Sequence, residues 1–250
     1  MNIAVIFAGG TGKRMNTRAL PKQFLEVHGK PVLIYTLEQF QECKDIDGIV
    51  LVCVSGWLDH AWKLCEKFGI SKMLDIVPGG YTGQESIYHG LLAAQEEVQK
   101  AAIAGEDENP SRDIVLIHDG VRPMINEETI TACIQTVREK GNAITTAPAI
   151  ETIFANSKDG CVGQIFNRSQ CLMARAPQCF YLADILHAHY KANMEKRNDF
   201  IDSAMMMQHY GAILHTVPGP VENIKITTPT DFYLFRALLD AQESMQIVGL

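Results

Sequence analysis

Three glycines and a group of cations stand together near the start of the chain, directly after the apolar run at residues 3–7. They are Gly9, Gly10 and Gly12, followed by Lys13, Arg14 and, after a turn, Lys22. The apolar run predicts a buried strand, and glycines allow backbone N–H groups to approach a ligand closely. Such a loop with several cations can bind a polyphosphate. The spacing matches neither the P-loop nor the dinucleotide-binding pattern, and an ordinary turn with solvated charges also explains the glycines.

Asp119 is the first candidate for a metal ligand. It follows the apolar run at residues 114–118, and open α/β sheets place their ligand crevice at the carboxyl ends of strands. A carboxylate there can hold Mg²⁺, which fills the rest of its coordination shell with substrate phosphates and water. A turn or helix-cap role would also explain a lone aspartate, and His118 fits a structural histidine better than a proton shuttle.

Lys225 lies between Ile224 and Ile226 in a short apolar stretch. An unpaired lysine is costly to bury, so the side chain either reaches solvent or faces an anion. The residues alone favour the solvent-facing position, and an anion partner remains the alternative.

Apolar runs that alternate with amphipathic segments must position these residues. The runs predict strands at residues 49–54, 75–78, 114–118 and 143–147, and helical periodicity predicts helices at 32–40, 57–68, 85–100 and 127–140. Continuously apolar strands alternating with helices are typical of a parallel sheet with right-handed crossovers. We therefore expect one Rossmann-like, doubly wound α/β domain over residues 1–250, with a mostly parallel sheet.

The pattern changes at Pro148. Loose alternation around a Lys-Asp-Gly turn predicts a protruding β-arm at about residues 148–177. Its apolar face needs a cover, and a second subunit supplies one, which predicts a homodimer. Further helices are expected at residues 182–192, 201–210 and 231–244, with strands at 212–217 and 223–227.

Composition excludes several classes of protein. A formal net charge of −7 argues against a nucleic-acid surface. No apolar run reaches the roughly 20 residues that span a bilayer, and the chain enters a strand without a charged leader, so a cytoplasmic location is expected. The seven cysteines are scattered and never in C-x-x-C spacing, which favours reduced core thiols over a metal site or disulfides.

Five motifs in order carry a resemblance to a known family. Residues 8–15 read A-G-G-T-G-K-R-M, 21–24 read P-K-Q-F, 118–123 read H-D-G-V-R-P, 177–178 read P-Q, and 222–229 read E-N-I-K-I-T-T-P. With an arginine at 168, they resemble the small cytidylyltransferases that act on methylerythritol phosphate or on pentitol phosphates such as ribitol 5-phosphate. The resemblance extends across nearly the whole chain.

The resemblance implies roles for individual residues. Arg14, Lys22 and Lys225 would be catalytic cations around the phosphates, and Asp119 would hold Mg²⁺. CTP would be bound by Ala8, Gly9, Gly10, Thr11, Gly12, Lys13, Gly80, Ser86 and Asp119, with Ser86 helping to read the cytosine. Arg122, Thr152 and Arg168 would serve the polyol phosphate, with Thr152 and Arg168 reaching into the site of a partner subunit. Asp202 matches an acidic position of the family, although N-capping explains it equally well.

Three positions depart from the family pattern. Gly83 stands where arginine is usual, Glu151 where aspartate is usual, and Ala176 replaces the threonine before Pro-Gln. The first concerns the nucleotide, and the other two concern the polyol side of the site.

The resemblance implies that CTP and a polyol phosphate react to give a CDP-polyol and pyrophosphate. The motifs favour a pentitol phosphate, with a methylerythritol phosphate enzyme of isoprenoid synthesis as the alternative. A scaffold that binds nucleotide without catalysis is a rival, motivated by Gly83 and Ala176. Transfer of another nucleotide such as UTP is a third possibility.

Overall fold

The computed structural model describes residues 1–9, 20–105, 112–157 and 159–248. Within them, no helix combines the length and apolar character needed to cross a membrane. All seven cysteines are free thiols; five are buried, Cys161 is exposed and Cys171 is partly buried.

The main sheet has seven strands within the described residues, in the order β11-β7-β10-β6-β1-β4-β5. The strands of the chain are β1 (Asn2–Ala8), β2 (Glu26–Val27), β3 (Lys30–Pro31), β4 (Gly48–Cys53), β5 (Met73–Pro78), β6 (Ile114–Asp119), β7 (Asn142–Pro148), β8 (Phe154–Asn156), β9 (Val162–Ile165), β10 (Leu172–Tyr181) and β11 (Thr216–Pro218). In the main sheet only β10 is antiparallel to its neighbours. The predicted mostly parallel α/β sheet is confirmed.

Helices cover both faces of this sheet. They are α1 (Val32–Glu42), α2 (Leu58–Lys67), α3 (Gly83–Ala104), α4 (Glu127–Lys140), α5 (Leu182–Met194), α6 (Ser203–His209) and α7 (Pro229–Val248). Side chains of α1, α2 and α4 pack in one buried cluster, and those of α3, α5 and α6 pack in another. Alternate residues of β1 enter the two clusters, because successive side chains of a strand point to opposite faces. The doubly wound arrangement is therefore confirmed.

The strand order reverses beside β1. From β1 the chain adds β4 and β5 on one side, and β6 then lies on the other side. In open α/β sheets this switch point opens a crevice at the carboxyl ends of the strands. We call the edge at which β1, β4, β5 and β6 end the carboxyl edge.

Three sequence predictions are wrong in detail, and one is the strand expected at residues 212–217, which is limited to Thr216–Pro218. Residues 172–177, assigned to the arm, belong to β10, which lies between β6 and β7 in the main sheet. The arm is therefore shorter; we define it as residues 149–171, which carry the separate ribbon β8–β9. Residues 223–227 form no strand, because their backbone makes only isolated bonds such as Ile226 N–H to the Val121 carbonyl at 2.9 Å.

Candidate active site

Asp119 lies at the end of β6, directly beside Phe7 near the end of β1. It is almost fully buried, yet both carboxylate oxygens have cationic partners. Oδ2 accepts from Arg122 Nε at 2.7 Å, and Oδ1 lies 2.5 Å from Lys225 Nζ. Burial alone would raise the pKa of Asp119, but these two charges and their hydrogen bonds outweigh burial and hold it below its usual value. Asp119 is therefore ionised in the folded protein.

Arg122 joins Asp119 to the distant segment at residues 222–229. The residue is only 9% exposed, and its Nη1 donates to the Asn223 carbonyl at 3.0 Å. Asn223, fully buried, donates from Nδ2 to the Ala176 carbonyl at 2.7 Å. We call Asp119, Arg122, Asn223 and Lys225 the Asp119 cluster. Because the bonds of Arg122 are made within the protein, they give it an ordering role; the predicted contact with substrate stays a prediction.

His118 contacts this cluster through the backbone of Arg122. Its Nε2–H donates to the Arg122 carbonyl at 3.0 Å, while Nδ1 is buried with no hydrogen-bond partner. Burial lowers the pKa of His118 to about 4, with the Arg122 carbonyl opposing the shift. The ring is therefore neutral near pH 7, which agrees with the structural role expected from the sequence.

Lys225 faces an anion, so the solvent-facing position that the residues alone favour is wrong and the anion alternative is confirmed. Its side chain remains 39% exposed while Nζ contacts Asp119. Lys22 approaches the same segment, since its Nζ donates to the Ile226 carbonyl at 3.0 Å. The structure thus brings together Lys22, Asp119 and Lys225, which come from three separate motifs.

A second group of predicted residues surrounds the turn after β5. Ser86 Oγ accepts from Gly80 N–H at 3.0 Å and donates to the Thr82 carbonyl at 2.8 Å. Gly9 packs against this turn so closely that a Cβ on Gly79 would lie 3.2 Å from Gly9 Cα. Only glycine fits such a contact without displacing a neighbour. The backbone that follows β1 therefore touches the turn that follows β5.

The amino end of α3 is fixed beside this turn. Thr82 caps the helix by accepting from Glu85 N–H at 3.0 Å, and Glu85 Oε2 accepts from Tyr81 N–H at 2.6 Å. These reciprocal bonds resemble a capping box. Gly83, the departure from the family pattern, has open space around its Cβ position, so a larger side chain would fit there.

Sequence reasoning missed Gln23 as a functional candidate. Gln23 is buried, and its Nε2 donates to the carbonyl of Ala8 at 2.7 Å. This bond fixes the end of β1 to the short helix Lys22–Phe24 that carries Lys22. The one feature of the sequence that could have pointed to Gln23 is its polar side chain between Lys22 and the apolar Phe24.

The arm residues lie apart from the Asp119 cluster. Thr152 and Glu151 are exposed, and Arg168 Nη1 donates to the Ile150 carbonyl of the arm itself at 3.1 Å. In the part of the chain that the structure describes, no hydrogen bond or ion pair joins Thr152 or Arg168 to the Asp119 cluster. Their predicted reach into a partner's site stays a prediction.

Asp202 is the N-cap of α6, as one of its two accounts expects, and it also binds Gln178; its match to the family's acidic position stays a prediction. Oδ1 accepts from Met205 N–H at 2.8 Å as the cap of α6, and Oδ2 accepts from Gln178 Nε2 at 2.9 Å. The predicted roles of Gly10, Thr11, Gly12, Lys13 and Arg14 lie outside the described residues.

Comparisons with known proteins identify the family of this chain. The family model described as 2-C-methyl-D-erythritol 4-phosphate cytidylyltransferase (IspD) matches residues 2–241. A ribitol-5-phosphate cytidylyltransferase of Streptococcus agalactiae serotype V is 49% identical over 250 residues, covering 100% of both chains. One of the same name from Vibrio parahaemolyticus serotype O3:K6 is 48% identical over 249 residues, again covering 100% of both. A 2-C-methyl-D-erythritol 4-phosphate cytidylyltransferase of Clostridium botulinum (strain Okra) is 34% identical, covering 96% of this chain and 97% of its own.

A solved structure shows the same architecture. The crystal structure of 4-diphosphocytidyl-2C-methyl-D-erythritol synthase from Anaerococcus prevotii matches with a TM-score of 0.78 and 27% identity, covering 96% of each chain. The family match covers nearly the whole chain, and so do the relatives above 30% identity. The chain therefore belongs to the 2-C-methyl-D-erythritol 4-phosphate cytidylyltransferase family.

Proposed function

We propose that this chain transfers CMP from CTP to ribitol 5-phosphate, giving CDP-ribitol and pyrophosphate. The observation that carries the proposal is the convergence of Lys22, Lys225 and Asp119 at the switch point of the sheet. Four relatives named for ribitol 5-phosphate align with the full chain at 48–49% identity and a fifth is 36% identical over 97% of the chain, against 34% for those named for methylerythritol phosphate.

The reaction requires alignment and charge neutralisation. A phosphate oxygen of ribitol 5-phosphate attacks the α-phosphorus of CTP, the bond from that phosphorus to the bridging oxygen breaks, and pyrophosphate leaves. An ionised phosphate is its own nucleophile, so no general base is required. In this proposal Lys22, Lys225 and Arg14 neutralise charge as it develops, which is the main catalytic contribution that fixed cations can make.

Mg²⁺ fits the residues present at Asp119. The carboxylate is ionised and lies at the carboxyl edge, and Mg²⁺ characteristically takes one or two carboxylates with substrate phosphates. Each carboxylate oxygen keeps a lone pair beyond its bond to a cation. When bound, the ion would draw charge from the phosphates; Arg122 would keep Asp119 oriented, and Lys225 would be free to contact a phosphate.

The turn after β5 favours cytosine over uracil in this proposal. The proton of Ser86 Oγ goes to the Thr82 carbonyl, and Gly80 N–H uses one of its lone pairs. The oxygen can then only accept a further hydrogen bond. Cytosine presents an amino donor where uracil presents a carbonyl acceptor, so an acceptor at this position favours CTP.

A second copy of the chain is the proposed partner. The arm exposes large apolar side chains on the ribbon, including Phe154, Val162 and Ile165, and Leu172 beside it is exposed too. Several large exposed apolar side chains on one short ribbon are typical of a protein interface. Thr152 and Arg168 are proposed to reach the partner's site from there, and Arg168 suits a phosphate because of its planar fork of donors.

The test is release of pyrophosphate with Mg²⁺ present, and identification of the product by mass. The acceptors are ribitol 5-phosphate, arabinitol 5-phosphate, glycerol 3-phosphate and methylerythritol 4-phosphate, each with CTP and with UTP. The proposal expects kcat/KM to be highest for CTP with ribitol 5-phosphate. Preference for methylerythritol 4-phosphate would place the chain in the other branch of the family. No release with any acceptor, despite CTP binding, would favour the non-catalytic scaffold.

A further inference from the structure

Arg175 lies in β10, two residues before Pro177, in an irregular part of the strand. The register between β10 and β7 shifts between Ala174 and Gln178, so Arg175 lies outside the regular ladder. The next residue, Ala176, accepts the hydrogen bond from Asn223 of the Asp119 cluster. Because Gln178 pairs with Ile117 of β6 and the strands are antiparallel, the part of β10 before Gln178 extends toward the carboxyl edge.

The guanidinium of Arg175 has no anionic partner among the described residues. Its Nε is buried without a hydrogen-bond partner, although arginine ordinarily uses its donors when desolvated. The carboxylate of the Asp119 cluster is already engaged by Arg122 and Lys225. Burial lowers the pKa of Arg175, and the nearby charge of Arg122 lowers it further. A partly desolvated cation beside another cation is in a position that an added anion would stabilise.

We propose that Arg175 binds a phosphate oxygen of the acceptor substrate and thereby helps to determine which acceptor the enzyme takes. This inference rests on the proposed function and extends it by assigning a residue that the family motifs do not. The guanidinium offers donors in a planar fork that matches phosphate geometry. The adjacent Ala176 has no side-chain donor, so Arg175 supplies the hydrogen-bonding capacity at this point of the strand.

The position of β10 indicates that Arg175 binds the phosphate of the acceptor and not the nucleotide. Gly9 follows β1 and the turn at Gly80 follows β5, on the side of β6 away from β10. Strand β10 instead continues from the arm that holds Arg168. Arg175 therefore lies between the arm and the Asp119 cluster, on the side where the second substrate must approach.

The test separates the two substrates kinetically. Arg175→Gln removes the charge, and Arg175→Lys keeps a charge without the planar fork of donors. Arg138→Gln is the matched control, because Arg138 is an exposed residue of α4. Loss of a charged hydrogen bond predicts a rise of roughly 10- to 100-fold in KM for ribitol 5-phosphate, with KM for CTP within about twofold. Arg175→Lys should recover part of that rise, and Arg138→Gln should match the parent chain. An unchanged KM for the acceptor, or an equal or larger rise for CTP, would overturn the proposal.

A second measurement does not depend on turnover. The ¹⁵N–H resonance of Arg175 Nε, assigned by its absence in Arg175→Gln, is followed while ribitol 5-phosphate is added in the presence of a non-hydrolysable CTP analogue. A saturable shift supports the proposal, and its absence at millimolar acceptor overturns it. If the parent chain released no pyrophosphate, the proposed function would fail, and this titration would still decide whether Arg175 binds an acceptor phosphate.

Discussion

Removing the carboxylate of Asp119 is expected to destabilise the fold as well as stop the reaction. In Asp119→Ala the nearly buried guanidinium of Arg122 keeps its charge and retains the Asn223 carbonyl as an acceptor, but loses its ionic partner. Breaking a buried ion pair from one side costs roughly 3–5 kcal/mol. Lys225 is partly exposed and can turn to water, so its lost contact adds little.

The expected loss converts to a shift in melting temperature. For a chain of this size each kcal/mol lowers Tm by roughly 2–4 °C, so Asp119→Ala should melt roughly 6–20 °C below the parent. Asp119→Asn keeps an oxygen that can accept from Arg122 Nε, and we expect it to lose roughly 1–3 kcal/mol. Both variants should lose activity, because neither has a charged ligand for the proposed Mg²⁺.

Urea unfolding followed by circular dichroism at pH 7, with calorimetry for Tm, measures these differences. Asp199→Ala is the control, because it breaks an arginine–aspartate pair of Arg197 that lies on the surface. That variant should unfold like the parent chain. If Asp119→Ala were as stable as Asp199→Ala, the argument that the Asp119–Arg122 pair holds this site together would be refuted.

The remaining predictions concern charge at the site, pH and assembly. Lys225→Ala should lower kcat by at least roughly 100-fold with an unchanged far-ultraviolet spectrum, while Lys63→Ala, at an exposed residue of α2, should not lower kcat. Equal rates in the two variants would contradict the catalytic role. Burial lowers the pKa of His118 and of His189 to about 4, so the unfolded chain binds protons that the folded chain excludes. The contribution of the two neutral histidines to the free energy of unfolding is then complete above about pH 6.5 and falls toward pH 4. Between pH 7 and 5 the two histidines together should lower the free energy of unfolding by roughly 4 kcal/mol. Equal urea midpoints at these two pH values would contradict this account. Ile165→Glu on the exposed ribbon should convert a dimer to a monomer in sedimentation velocity, and a parent chain that already sediments as a fully active monomer would exclude the dimer.

Much of the fold could be predicted because the central strands are continuously apolar. Strands β1, β4 and β6 are buried on both faces, and their sequences leave no alternative to the interior of a sheet. The amphipathic helices could be predicted equally well from their periodicity, and α4 was predicted with its observed bounds. The predictions failed where local pattern and tertiary contacts disagree.

Strand β10 illustrates that disagreement. Its first residues alternate between exposed and partly buried, and Pro177 cannot donate to a ladder, so the sequence favoured an arm over a strand of the main sheet. The shift in register before Gln178 accommodates the proline, and no local pattern encodes that shift. Residues 223–227 show the converse, because alternating apolar residues resemble a strand while the segment is held by side-chain bonds of Asn223 and Lys225.

The sequence allowed the residue types of the site to be predicted, but not which of these residues contact one another. A carboxylate after a buried strand and a lysine in an apolar stretch were each recognisable, and their contact depends on how the last third of the chain folds back. The sequence could not single out Arg175, because an arginine before Ala-Pro is common. Only the structure shows that its Nε is buried without a hydrogen-bond partner.

The reversed direction of β10 has a consequence for how such enzymes diversify. In the site proposed above, the ends of the parallel strands form the wall beside the nucleotide, and the leading half of the single antiparallel strand forms the wall beside the acceptor. Substitutions in that leading half alter one wall while leaving the parallel strands untouched. The proposal therefore implies that a descendant of this chain could acquire a new acceptor through changes in one strand and keep the proposed nucleotide wall intact.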